Sequence, residues 1–225
     1  MLVERVKRED LLRYRLWIEK QAISIQTVAH VLSDARCLFL WCEDAGLIAK
    51  APVPRKLLPK IPERPPDRLS DEEVERLTAL PNPHGFVIRL GLATGLRWGE
   101  LCRAQSSDVE NGMLVVSLTK SGKVRRVPLS PKILREIRGR VGRLVPYSAE
   151  SKGSFNATIR RLSGVERFHS HQLRHTFACR WIEKGTLQAL QEILGHASIE
   201  TTQRYARLSE TAVRAEATKV FGARP

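Results

Sequence analysis

Six of the chain's twelve prolines fall between Pro52 and Pro66. Each fixes φ and removes a backbone donor, so neither a helix nor a central strand can run through that stretch. The run predicts a semi-rigid connector. A chain of 225 residues suits one large domain or two small ones, and the connector decides for two. The expected division is residues 1–62, a linker at 63–68, a main part at 69–208 and a tail at 209–225.

In the first part, Thr27 to Leu47 carries Val28, Val31, Leu32, Ala35, Leu38, Phe39 and Cys42 at helical spacing, with Gly46 as the stop. Residues 9–20 read as a second helix with Leu12, Leu16 and Trp17 on one face. After the linker, Ser70-Asp71-Glu72-Glu73 is a capping box that opens a helix to about Leu80. Residues 84–93 form a buried helix. Met113 to Leu118 and Val124 to Leu129 read as strands, joined by Lys120-Ser121-Gly122-Lys123 as a hairpin turn. Ser130-Pro131 supplies an N-cap and a first-turn proline, so helix resumes. From 152 onward the pattern is helical, broken at Gly164, Gly185 and Gly195. The class is mainly α with a small antiparallel β-sheet.

The balance of 38 basic against 24 acidic residues gives +14, which suits a polyanionic partner bound through its phosphates. No apolar run approaches the ~20 residues of a membrane span, and the charged N-terminus does not suit a secretory signal. The four cysteines form no CxxC pair, so neither a zinc site nor a disulfide framework is expected. Reduced, mostly core thiols point to the cytoplasm.

Chemistry concentrates late in the chain. Tyr205 lies nine residues after His196 in Leu194-Gly195-His196-Ala197-Ser198-Ile199-Glu200-Thr201-Thr202-Gln203-Arg204-Tyr205. Upstream stands His171-Gln172-Leu173-Arg174-His175-Thr176-Phe177-Ala178, and further upstream Arg97 in Ala93-Thr94-Gly95-Leu96-Arg97-Trp98-Gly99-Glu100-Leu101. One oxygen nucleophile with fixed positive charge beside it is what attack on a phosphodiester requires. His171 and Arg174 share one helix face, a turn apart. Glu100 either orients Arg97 or pairs on the surface. His175 reads as a structural residue or as a partner supporting the site, and Tyr14 and Tyr147 as packing residues.

These blocks, in this order over roughly residues 67–208, resemble the tyrosine recombinases, also called the phage-integrase family. Residues 1–62 are more weakly similar to the helical core-binding domain that clamps DNA in such enzymes. The resemblance implies a site-specific recombinase acting on double-stranded DNA, in integration and excision or in dimer resolution, through a 3′-phosphotyrosyl intermediate. It makes Tyr205 the nucleophile, and Arg97 and Arg174 the grounds for the non-bridging oxygens. Lys120 becomes the acid for the departing 5′-hydroxyl, with Lys123 a neighbour in the same turn. His171 and His196 complete the cage, with His171 taking the phenol proton. No cofactor, nucleotide or metal is implied: no carboxylate cluster or Gly-x-x-x-x-Gly-Lys loop is present.

The segment Leu101–Asp108 lacks the Leu and Trp often found there in the family. The short first part, without a module for arm sites, implies a simple core-site enzyme. Residues 209–221 read as a short helix that packs on its own domain or, as the family suggests, docks on a neighbouring protomer in a tetramer. Two other readings stand beside this one. Thr186 to Leu208 resembles a helix-turn-helix, as in a DNA-binding regulator, and a type IB-like topoisomerase would use the same tyrosine chemistry.

Overall fold

The computed structural model describes residues 3–62, 65–117, 124–196 and 198–206. It divides into two compact units, residues 1–64 and 65–225. In the first, α1 (Arg8–Glu19) and α2 (Ile25–Asp44) pack around Leu11, Ile18, Val28, Leu32 and Phe39. Ser24 caps α2 by accepting from the Thr27 N–H.

Two expectations change here. Leu16 and Trp17 of α1 are each 59% exposed, and the buried pair is Leu11 and Ile18. Residues seven apart lie on one stripe, while Leu12 and Leu16 form the stripe beside it. The stripe that turns inward is set by where α2 lies, which α1 alone does not encode. The proline-rich run, for its part, is not all connector: Ala51 and Leu57 are buried in the core of this unit. Glu43 accepts from the Ala51 N–H at 2.9 Å, and Arg15 donates to the Lys56 carbonyl at 2.5 Å. Prolines forbid repeating structure there but leave apolar side chains free to pack.

The second unit opens on α3 (Asp71–Thr78), whose capping box joins Ser70 and Glu73 in both directions. Its core is built on α4 (His84–Thr94), with Phe86, Val87, Ile88 and Leu90 all buried. After the short α5 (Trp98–Arg103) come β1 (Val109–Glu110), β2 (Met113–Val116) and β3 (Arg125–Pro128), in antiparallel order β1-β2-β3. Asn111 and Gly112, at φ 49° and 77°, make the tight turn between β1 and β2. On β2 and β3, Leu114 faces Val127 and Val116 faces Arg125.

Helices α6 (Pro131–Ile137) and α7 (Lys152–Ser163) follow, then α8 (His171–Ile182), α9 (Leu187–Leu194) and α10 (Ile199–Ala206). Helix α8 lies close on α4: a Cβ on Gly91 would stand 2.8 Å from Leu173 Cδ1. Its start is held by Asp67, which accepts from Gln172 and contacts the His169 ring, each at 3.0 Å. The Leu69 N–H donates to Thr176 Oγ1. The segment preceding α3 thereby fixes the helix that carries most of the polar cluster described below.

Among the described residues no helix is long and apolar enough to cross a membrane. All four cysteines are free; Cys42 and Cys102 are buried, whereas Cys37 is exposed.

Gly95 ends α4 at φ 62°, where a Cβ would stand 2.4 Å from Phe177 Cδ1 and 3.0 Å from Leu194 Cδ2. Gly95→Ala combines left-handed strain with overpacking and is expected to cost about 2–4 kcal/mol. Urea unfolding of the full chain measures this, and an unchanged midpoint would show that Phe177 and Leu194 give way freely.

Candidate active site

Arg174 is 2% exposed, an unusual place for a guanidinium. Its donors are satisfied by the ends of two helices: Nη1 donates to the Gly95 carbonyl and Nη2 to the Leu194 carbonyl, each at 2.9 Å. Gly95 caps α4 and Leu194 is the last residue of α9, so both are carbonyls that a helix leaves without an internal partner. Nη2 also reaches His196 Nε2 at 2.8 Å. Burial and then the repulsion of Arg97 lower the Arg174 pKa to about 10, with Glu100 and Tyr205 opposing. It stays charged at neutral pH.

Because arginine can only donate, His196 Nε2 must accept. The proton then sits on Nδ1, which donates to Thr202 Oγ1 at 2.8 Å. Burial, followed by the charges of Arg174, Arg97 and Arg125, holds the His196 pKa down to about 4. His171 lies one turn before Arg174 on α8. Although its ring reaches the surface, the crowding around it and the charges of His175, Arg174 and Lys152 hold it at about 4 as well.

Arg97 precedes α5, and Glu100 folds back beneath it. The Glu100 carboxylate accepts from the Arg97 N–H at 2.8 Å and from Arg97 Nη1 at 3.1 Å. The Arg97 side chain is 39% exposed and that of Glu100 only 3%, so the cation faces outward from a buried anion. This settles the two readings of Glu100 in favour of orienting Arg97. Burial pushes the carboxyl pKa up, but hydrogen bonds from Arg125 and the Arg97 N–H, with both guanidinium charges, leave it lowered.

Tyr205 on α10 is 7% exposed. Its hydroxyl hydrogen-bonds His175 Nδ1 at 2.9 Å, while the family resemblance gives the phenol proton to His171. The His171 and His175 rings meet edge to face, 4.5 Å between centroids, so His171 is one ring removed from the phenol. Thr202 and Tyr205, three apart on α10, reach His196 and His175 respectively. Arg97, His171, Arg174, His196 and Tyr205 therefore gather in one region. Lys120 and its neighbour Lys123 lie outside the described residues. Among the described residues no group of three His, Cys, Asp or Glu side chains is arranged to hold a metal ion.

Beyond the predicted residues the cluster holds Thr202 and Arg125, and His175, read as structural or supporting, stands against the phenol. His175 stands four residues after His171, hence on the same face, and that spacing was a usable signal. Thr202 carried none.

The low histidine pKa values have a sign that can be checked. Unfolded rings bind protons near 6.5 and these two only near about 4. Between those values the unfolded chain holds more protons, so stability is complete above the window and falls as pH drops through it. NMR titration should keep both rings neutral down to about pH 5, with the melting temperature falling over the same range. A midpoint above 6 for either ring would contradict the assignment.

The family model described as phage integrase family matches residues 67–212. Tyrosine recombinase XerA of Pyrococcus furiosus is 32% identical over 223 residues, 89% of this chain and 76% of that protein. Among solved structures, the catalytic domain of bacteriophage HP1 integrase matches with TM-score 0.57 and 32% identity, over 69% of this chain and 94% of that one. The Tn1549 transposon integrase, in complex with circular intermediate DNA, shares the fold at TM-score 0.75 and 22% identity, over 95% of this chain and 85% of that one. These matches favour recombination over the regulator and topoisomerase readings. A buried arginine on helix-end carbonyls, a second arginine on a buried carboxylate and a tyrosine hydrogen-bonded to a histidine thus stand within a domain whose relatives are recombinases, and the chain belongs to the phage integrase family as a tyrosine-type site-specific recombinase.

Proposed function

We propose that this recombinase breaks and rejoins double-stranded DNA through Tyr205. The phenol oxygen bonds to the scissile phosphorus while the bond from phosphorus to the 5′-oxygen breaks, leaving a 3′-phosphotyrosyl link and a free 5′-hydroxyl. The phenol proton leaves to an imidazole, and the 5′-oxygen takes one from Lys120. Reversal with a 5′-hydroxyl from another strand exchanges partners without an external energy source, because the ester bond energy is kept in the link.

Each role follows from chemistry. Arg97 and Arg174 meet the non-bridging oxygens, where negative charge grows as phosphorus becomes five-coordinate. An isolated tyrosine has a pKa near ~10 and needs cations nearby to favour the phenolate. His175 hydrogen-bonds the phenol and would receive its proton, while His171 and His196 complete the cage as donors to the phosphate oxygens. Lysine suits the leaving-group acid because its pKa moves readily, which that of arginine does not. The observation that carries the reading is the contact chain from Arg174 through His196 and Thr202 to the helix bearing Tyr205.

DNA fits the +14 charge. The reading extends to a tetramer on paired sites, working in the cytoplasm with no cofactor, nucleotide, metal or membrane. Its biological use is integration and excision of a mobile element, or resolution of dimeric replicons.

Incubation with a nicked suicide substrate tests the chemistry by trapping a covalent protein–DNA adduct. Tyr205→Phe should abolish the adduct and leave binding intact. Arg174→Ala should slow its formation about 10²–10³-fold, beyond any loss of affinity. An adduct persisting in Tyr205→Phe would rule the nucleophile out. Residues 209–225, proposed to dock on a neighbouring protomer, lie outside the described residues. Their deletion should leave single-site cleavage and abolish ordered synapsis in a two-site assay, and unchanged synapsis would remove that part of the reading.

A further inference from the structure

Arg125 has no part in the chemistry above, yet it is a buried cation beside it. As the first residue of β3 it is in phase with Val127, so its side chain points to the core face of the sheet while Arg126 points outward. It is 8% exposed. Its guanidinium forks onto Glu100, Nη1 to Oε1 at 3.1 Å and Nη2 to Oε2 at 2.7 Å, and Nε donates to the Ile193 carbonyl at 2.7 Å. Each nitrogen of that planar group thus has an acceptor, a geometry that lysine cannot reproduce.

The two acceptors belong to different halves of the site. Glu100 holds Arg97 by its backbone and its guanidinium. Ile193 lies in the last turn of α9, three residues before His196, and the next carbonyl, Leu194, is held by Arg174. Gly195, at φ 66°, leaves room for this approach: a Cβ there would stand 3.0 Å from Arg125 Cδ. Without Arg125, the buried Glu100 carboxylate would lose the fork that faces it, and the α9 carbonyl would lose a charged donor.

Building on the proposed chemistry, we infer that Arg125 is a positioning residue: it fixes the Glu100 carboxylate that aims Arg97 at the scissile phosphate, and it sets that arginine in register with the α9 turn carrying His196. It touches no substrate atom. Its effect on strand cleavage passes through Arg97, which distinguishes it from a residue that only holds the domain together.

A double-mutant cycle on single-turnover cleavage of the nicked suicide substrate reads this out. Arg125→Lys keeps the charge and loses the fork. In the otherwise natural chain it should slow cleavage about 10–100-fold, the usual range for a supporting partner, with DNA affinity within about twofold. In an Arg97→Lys background, where the aimed fork is already gone, the same change should cost less than about threefold. Equal losses in both backgrounds, or no loss in either, would overturn the inference.

Should Arg125→Lys melt well below the natural chain, the paired change Glu100→Gln with Arg125→Gln enters the same cycle, since it removes both buried charges together. Failure of both variants to fold would make Arg125 a structural residue and also overturn the inference. Absence of any adduct from the natural chain would instead sink the parent reading, so the two failures are distinguishable.

Discussion

Concentrating positive charge in a folded protein before its anionic ligand arrives is the constraint that shapes this domain. Arg97, Arg125 and Arg174 act electrostatically on one another's surroundings, and only one buried carboxylate, Glu100, stands among them in the described contacts. A second carboxylate would neutralise the site and weaken its hold on phosphate. The remaining compensation comes from neutral atoms instead. The carbonyls of Gly95, Ile193 and Leu194 lie at the C-terminal ends of α4 and α9, where unpaired carbonyls and the helix dipole give partial negative charge. Partial charges stabilise the buried guanidinium groups without presenting a full anion to DNA.

This arrangement depends on how those helices end. Gly95 and Gly195 both adopt left-handed φ, at 62° and 66°. That conformation turns the chain away sharply and leaves the last carbonyls open to a side chain from outside. Gly95 also admits Phe177 of α8, the helix that brings Arg174 to those carbonyls. Burial, and after it the repulsion of neighbouring charged groups, keeps His171 and His196 neutral. An incoming phosphodiester brings negative charge and reverses that repulsion, so the rings become easier to protonate only once substrate is present.

Much of this was legible in the sequence where the signal is local. The Ser70 capping box, the Ser130-Pro131 start and the glycine breaks each depend on a few adjacent residues, and the helices begin and end close to them. The polar cluster was legible as spacing: His171 and Arg174 at one turn, Arg97 with Glu100 three residues on. Partners chosen by tertiary packing were not. Leu12, Leu16 and Trp17 make as good an apolar stripe as Leu11 and Ile18, and only the placement of α2 decides between them. Asn111-Gly112 is a strong hairpin signal, but β1 has just two residues and no alternation to draw attention to it. Arg125 was hidden by its charge. In phase with Val127 it occupies an inward position of β3, and a charged residue there makes sense only once Glu100, distant in sequence, is known to lie beneath it.

The same contacts explain how a site this constrained can still move. Arg174 and Arg125 grip backbone carbonyls of α4 and α9, and Glu100 is buried among them, so that half of the cluster cannot shift without unpairing buried charge. Helix α10 is attached differently. Thr202 and Tyr205 are packed in the buried core, and the hydrogen bonds they make to His196 and His175 involve no carboxylate. Bonds of this kind contribute about 1 kcal/mol each, whereas breaking a buried ion pair costs about 3–5 kcal/mol. Tyr205 is 7% exposed in the free protein, so on the proposed chemistry reaching phosphorus requires some displacement of its helix or of what covers it. On the proposed chemistry, the buried ion pairs hold the arginines in place while the helix carrying Tyr205 makes that movement.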